Sequence, residues 1–70
     1  MKRQGVNSSA IRSVGYDATH KMMEIEFISG VIYKYFDVPP AEYHALLKAE
    51  SPGTIFNEQI KDAYRTTKIG

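Results

Sequence analysis

Residues 27–36 constrain the fold of this 70-residue chain more than any other segment. They end one alternating strand, pass through Ser29-Gly30 and begin a second strand. A three-residue loop with Gly30 in the left-handed region sets Phe27 opposite Val31, whereas a two-residue loop shifts the pairing by one residue. Because side chains alternate along a strand, such a shift moves each of them to the other face of the sheet.

The residues on either side favour the three-residue loop. That loop joins opposite charges on one face of the hairpin and apolar with aromatic groups on the other: Glu24 with Lys34, Ile25 with Tyr33, and Met23 with Tyr35. Each favourable cross-strand pair stabilises a sheet by about 0.2–1 kcal/mol. The two-residue loop would instead place Lys34 opposite Ile25, among apolar groups. We therefore predict that both tyrosines share the inner face with Met23, Ile25 and Phe27.

The remaining pattern predicts one more strand and two helices. Residues 10–16 are compatible with a strand, and Pro39-Pro40 ends the sheet because proline cannot donate to the ladder. A first helix is predicted from Pro40 to near Ser51, since Tyr43, Leu46 and Leu47 have helical spacing. A second helix is predicted from Ser51-Pro52, with an apolar stripe at Phe56, Ile60, Ala63 and Tyr64.

The predicted fold class is therefore α+β, a three-stranded antiparallel β-meander followed by two helices packed on one face (β-β-β-α-α). We expect a flexible arm over residues 1–8, a single domain over 9–66 and a tail over 67–70.

Cysteine is absent, which fits a reducing compartment and predicts a cytoplasmic protein. No apolar run approaches the length of a membrane span. A net charge of +1 argues against a strongly basic protein that wraps nucleic acid.

The order of these residues resembles the KTSC domain, a short domain found at the C-terminus of some lysyl-tRNA synthetases and as free-standing bacterial proteins. Its mark is a central Tyr-x-Tyr, which here is Tyr33-Lys34-Tyr35. Further matching positions are Ser8-Ser9, Val14-Gly15-Tyr16-Asp17, Ile25-Glu26-Phe27, Gly30, Val38-Pro39, Tyr43, Ser51, Gly53, Phe56-Asn57, Ile60 and Tyr64. The resemblance implies a free-standing member of a family without an established function. An RNA-binding role is implied by the synthetase context alone.

Two sets of residues are candidates for contact with RNA or another partner. Tyr33 and Tyr35 could stack on bases, although the predicted register favours a place for both in the core. The opposite face, which carries Lys34 and Phe36, is an equally good surface for stacking or for a protein partner. On the second helix the basic residues recur at helical spacing and predict a basic stripe of Lys61, Arg65 and Lys68. Such a stripe suits phosphate contacts, and it equally suits a solvated helix face.

Catalytic and metal-binding patterns are weak. His20 and His44 lack further ligands at useful spacing, and Ser8-Ser9 and Asn57 lack an adjacent base. Glu24 and Glu26 face outward, where Glu24 is expected to pair with Lys34. We therefore predict a non-catalytic binding module that needs no cofactor or metal and contacts RNA, with tRNA implied by the family resemblance. The alternative is a protein–protein interaction or homodimerising module with no role in nucleic-acid binding.

Overall fold

The structure is a computed structural model, and it describes residues 2–70. Five strands form one antiparallel sheet in sequence order: β1 (Arg3–Gly5), β2 (Ile11–Asp17), β3 (Met22–Phe27), β4 (Ile32–Tyr35) and β5 (Thr66–Lys68). Helix α1 (Pro40–Lys48) and helix α2 (Pro52–Ile55) lie between β4 and β5. Helix α2 continues as a π-helical segment over Phe56–Ile60, in which the Lys61 N–H donates to the Phe56 carbonyl at 2.9 Å.

The hairpin between β3 and β4 has the predicted three-residue register. Ile25 pairs with Tyr33 and Met23 with Tyr35. The Phe27 N–H donates to the Val31 carbonyl at 2.9 Å, which closes the loop. Gly30 has a φ of +95°, a conformation that glycine adopts without the steric cost that a Cβ brings. The prediction for this hairpin is confirmed.

Both helices pack on the inner face of the sheet, as predicted. The ring of Phe56 makes edge-to-face contacts with Phe27 at 5.3 Å and with Tyr35 at 5.7 Å between ring centres. Such contacts add about 0.5–1.5 kcal/mol to the apolar area that they bury. The core is contributed by the three internal strands, the connection after β4, helix α1 and the π-helical segment: Ile11, Val14, Met23, Ile25, Tyr35, Val38, Leu46, Phe56 and Ile60. Ile55 of α2 packs against it.

A bulge in β2 brings Ile11 into this core. Ile11 and Val14 are three residues apart, a spacing that would place them on opposite faces of a regular strand. The pairing with β3 shifts between Ile11 and Ser13, so Arg12 is the additional residue. Ile11 therefore lies opposite Phe27 and is fully buried on the same face as Val14.

The sheet has five strands, and the predicted number of three is wrong. The two additional strands are the edges: β1 lies in the predicted arm, and β5 begins at the last residue of the predicted domain and continues into the predicted tail. β1 and β5 have three residues each, all exposed. Since neither segment buries an alternating apolar face, only backbone hydrogen bonds mark them as strands. The limits of the independently folding domain stay a prediction.

The second helix is shorter than its apolar stripe predicted. Phe56 and Ile60 are buried, but the π-helical segment ends at Ile60, and Ala63 and Tyr64 follow in a turn. Beyond this turn the Phe36 N–H donates to the Arg65 carbonyl at 2.9 Å, and residues 66–68 pair with β4. Backbone pairing with an open strand edge therefore replaces the last predicted turns of the helix.

Candidate nucleic-acid interface

Within residues 2–70 both helices lie on the inner face of the sheet, and a row of polar residues crosses the outer face. Arg3, Gly15, Glu24, Lys34 and Thr67 are neighbours in register on the five strands. Gly15 has no side chain, so Arg3 reaches across it and places its Nη1 atom 3.2 Å from Glu24 Oε1. Glu24 lies opposite Lys34 as predicted, but its ion pair is with Arg3, and the predicted pairing is corrected. Lys34 forms no ion pair with any residue from 2 to 70.

An aromatic ring and a guanidinium group lie together beside this row. The Arg65 guanidinium carbon is 4.9 Å from the centre of the Phe36 ring, a cation–π arrangement. Phe36 directly follows β4 and is half-buried. Lys34, two residues earlier, is half-buried on the same strand. These three residues combine positive charge with an aromatic surface, which is the chemistry that single-stranded nucleic acid requires.

Tyr33 and Tyr35, the other predicted contact residues of β4, lie on the inner face. Tyr35 is only 4% exposed and contacts Phe56, and its burial raises the pKa of its phenol. Tyr33 is half-buried, and its ring meets Phe27 edge-on at 6.0 Å. Tyr35 is therefore a core residue, and we leave it out of the candidate interface.

The three basic residues at the C-terminal end do not form a stripe on one helix. Lys61 caps the π-helical segment, Arg65 lies in the connection that follows, and Lys68 belongs to β5. Lys68 pairs with Tyr33 at the sheet edge and is exposed. The predicted helical stripe is wrong because the helix ends before Arg65. Of the three residues, Arg65 joins Lys34 and Phe36 on the outer face.

A second basic surface adjoins β1, which sequence reasoning treated as an arm. A cleft of about 440 Å³ is lined by Lys2, Arg3, Gln4 and Tyr43. The Tyr43 ring stacks on the Tyr16 ring with 5.1 Å between their centres and 13° between their planes. The basic pair at the start of the chain was the only sequence signal for this surface. Its position beside α1 follows from the strand that the sequence did not predict.

Across residues 2–70, no three His, Cys, Asp or Glu side chains come together as ligands for a metal ion. His20 instead pairs with Asp17, with 2.9 Å between Nδ1 and Oδ2. None of the helices over that same range is long and apolar enough to cross a membrane.

Comparison with protein families identifies the fold. The model of the KTSC domain matches residues 7–64. The chain belongs to the KTSC domain family. A crystal structure of a KTSC domain protein from Yersinia pestis superimposes with a TM-score of 0.95 at 39% identity, and the match covers 99% of this chain and 97% of that one.

Relatives of this KTSC protein occur in two settings. An uncharacterised protein of Stutzerimonas stutzeri is 48% identical over 70 residues, which is 99% of both chains. A lysine--tRNA ligase of Nostoc punctiforme is 39% identical over 61 residues, which is 87% of this chain but 11% of the ligase. The chain therefore corresponds to a small part of the ligase, whereas it matches the Stutzerimonas protein throughout.

Proposed function

We propose that this KTSC protein is a non-catalytic module that binds RNA through the outer face of its sheet. The observation that carries the proposal is the contact between Arg65 and Phe36 beside the unpaired Lys34. The likeness to part of a lysine--tRNA ligase supports RNA, and tRNA in particular, as the ligand class. A cytoplasmic location and the absence of a cofactor stay predictions.

The charges on the outer face of the sheet favour RNA contact at the end that carries Lys34 and Arg65. Arg3 is neutralised by Glu24, whereas Lys34 lies on β4 and Arg65 lies in the chain leading to β5, where its carbonyl accepts the Phe36 N–H. Phosphate groups would meet these two cations, and a base would stack near the ring of Phe36. Stacking on an aromatic side chain contributes about 1–3 kcal/mol per base.

A titration of labelled tRNA and of a single-stranded RNA, followed by fluorescence anisotropy at several salt concentrations, tests the proposal. We expect the logarithm of the association constant to fall by about 0.7 per tenfold increase in salt for each phosphate contacted on a single strand. Lys34→Gln and Arg65→Gln should each weaken binding and reduce that slope. Lys48→Gln on α1, which packs on the opposite face, is the control. Absence of binding by both RNAs at low salt would contradict the proposal.

The alternative is self-association, and one exposed apolar residue favours it. Ile28 at the tip of the β3–β4 hairpin is 46% exposed. It borders an open groove of about 520 Å³ that also includes Phe27, Val31 and Tyr33. A second copy of the chain could cover this groove. Sedimentation of the wild type and of Ile28→Lys tests it, since a wild-type chain that stays monomeric at high concentration excludes the homodimer.

A further inference from the structure

A polar cleft of about 450 Å³ lies away from the sheet face, where the loop before β2 meets the junction of the two helices. Residues 7–10, residues 50, 51, 53 and 54 and Asn57 line it, and hydroxyl and amide side chains are prominent among them. Among the described residues that line the cleft, Glu50 is the one with a charged side chain, and none is a lysine, arginine or histidine. Its volume falls in the range of pockets that hold small molecules.

The walls of this cleft are held in place by specific contacts. Ser8 Oγ accepts hydrogen bonds from the N–H groups of Ala10 at 3.1 Å and of Ile11 at 3.2 Å. Gly53 packs against this loop, because a Cβ built on it would lie 3.5 Å from the Cβ of Ala10. The first helical turn of α2 and the loop before β2 therefore form two fixed sides of one opening.

Polar groups on these walls remain available to a ligand. Ser51 occupies the N-cap position of α2, where a serine hydroxyl ordinarily accepts a hydrogen bond from the helix, yet its side chain makes no such bond. Asn57 lies in the π-helical segment, a rare conformation that is often found at functional sites. Ser9 and Asn57 are exposed, and their side chains have no hydrogen-bond partner within the part of the chain that the structure describes.

We propose that this cleft binds a small polyhydroxylated molecule that carries one ammonium group, such as an amino sugar. The Glu50 carboxylate would accept hydrogen bonds from the ammonium group, and Ser51, Ser9 and Asn57 would exchange hydrogen bonds with the hydroxyls. Charge-assisted hydrogen bonds of this type are roughly twice as strong as neutral ones. Phosphorylated and carboxylated molecules are disfavoured, because no basic side chain of the cleft can neutralise them.

The test is an NMR titration of the 15N-labelled full chain with D-glucosamine and, separately, with D-glucose at equal ionic strength. We expect saturable shifts of amide signals from residues 8–10, 51–54 and 57 with both sugars, and about tenfold tighter binding of glucosamine. Glu50→Gln should abolish the preference for glucosamine. Glu58→Gln, which removes an exposed carboxylate of the π-helical segment outside the cleft, should keep the preference.

Two outcomes would overturn the proposal. One is the absence of saturable shifts at the cleft residues of the wild type with glucosamine. The other is an undiminished preference for glucosamine in Glu50→Gln, which would place the ammonium group elsewhere. The spectrum of each variant before titration reports its folding, so a loss of binding is separated from a loss of structure.

Discussion

Arg65 is joined to Phe36 twice: its carbonyl accepts the Phe36 N–H at 2.9 Å, and its guanidinium carbon lies 4.9 Å from the centre of the Phe36 ring. The two contacts anchor the start of the C-terminal edge strand to β4. The side-chain contact also forms the aromatic and basic surface of the proposed RNA interface. Its contributions to stability and to binding can be measured separately.

The stability contribution follows from a double-mutant cycle with Phe36→Leu and Arg65→Gln. We expect a coupling energy of about 0.5–1 kcal/mol, because the cation–π pair is partly open to solvent. Urea unfolding of the wild type, both single variants and the double variant gives this value. Additive effects of the two substitutions would show that the side chains do not interact in solution.

Gly30 and Gly53 form a matched pair for a test of the hairpin geometry. A Cβ at Gly30 would have no atom within 4 Å, so the cost of Gly30→Ala comes from its φ of +95° alone. We expect a loss of about 1–2 kcal/mol in the free energy of unfolding by urea. Gly53→Ala should equal or slightly exceed the wild type, since its Cβ makes only an ordinary contact in a helix. Equal stabilities of Gly30→Ala and the wild type would contradict the assigned loop.

The raised pKa of the Tyr35 phenol predicts how the stability of the fold falls in alkaline solution. Burial, with smaller effects from Tyr33 and Asp62, raises the pKa of the Tyr35 phenol above its ordinary value of 10.0. The stability that this neutral phenol contributes is complete below pH 10.0 and is lost as the pH rises through the higher pKa of the folded state. Unfolding by urea at a series of alkaline pH values should show a shallower decline for Tyr35→Phe. An identical decline for both proteins would show that the phenol is solvated.

The lowered pKa of Asp17 predicts a loss of folding stability in acid. Its side-chain hydrogen bond with His20 is the largest effect that lowers the pKa of the Asp17 carboxyl below 3.8, and the N–H groups of His20 and Thr19 add to it. The ionised carboxylate therefore contributes stability above pH 3.8, and this contribution is lost as the pH falls through the lower pKa of the folded state. Asp17→Asn should lose less stability than the wild type between neutral and acid pH.

The His20→Ala variant tests how much of the acid dependence comes from the imidazole of His20. The variant removes the imidazole but keeps the backbone N–H donors to Asp17, so we expect an intermediate acid dependence in thermal or urea unfolding. If Asp17→Asn and the wild type lose stability equally in acid, the Asp17–His20 contact does not persist in solution.

The sequence predicted the centre of this fold well because local chemistry specified it. Gly30 fixes the turn, and the length of its loop sets Met23 opposite Tyr35, so the place of Tyr35 in the core could be predicted from residues close in sequence. The outer face with Lys34 and Phe36 was likewise identified as a candidate surface. The edge strands β1 and β5 were not predicted, because their exposed residues carry no apolar alternation.

What the sequence alone determined is the β3–β4 hairpin, the two helices and the face that they cover, since apolar periodicity and turn residues encode these locally. Only the tertiary structure decided where the second helix stops, which cation reaches Phe36 and which distant segments enclose the polar cleft. Those features depend on backbone hydrogen bonds to open strand edges and on contacts between residues more than twenty positions apart, as between Phe36 and Arg65. Backbone groups are the same for nearly every residue type, so pairing of this kind leaves little trace in the sequence.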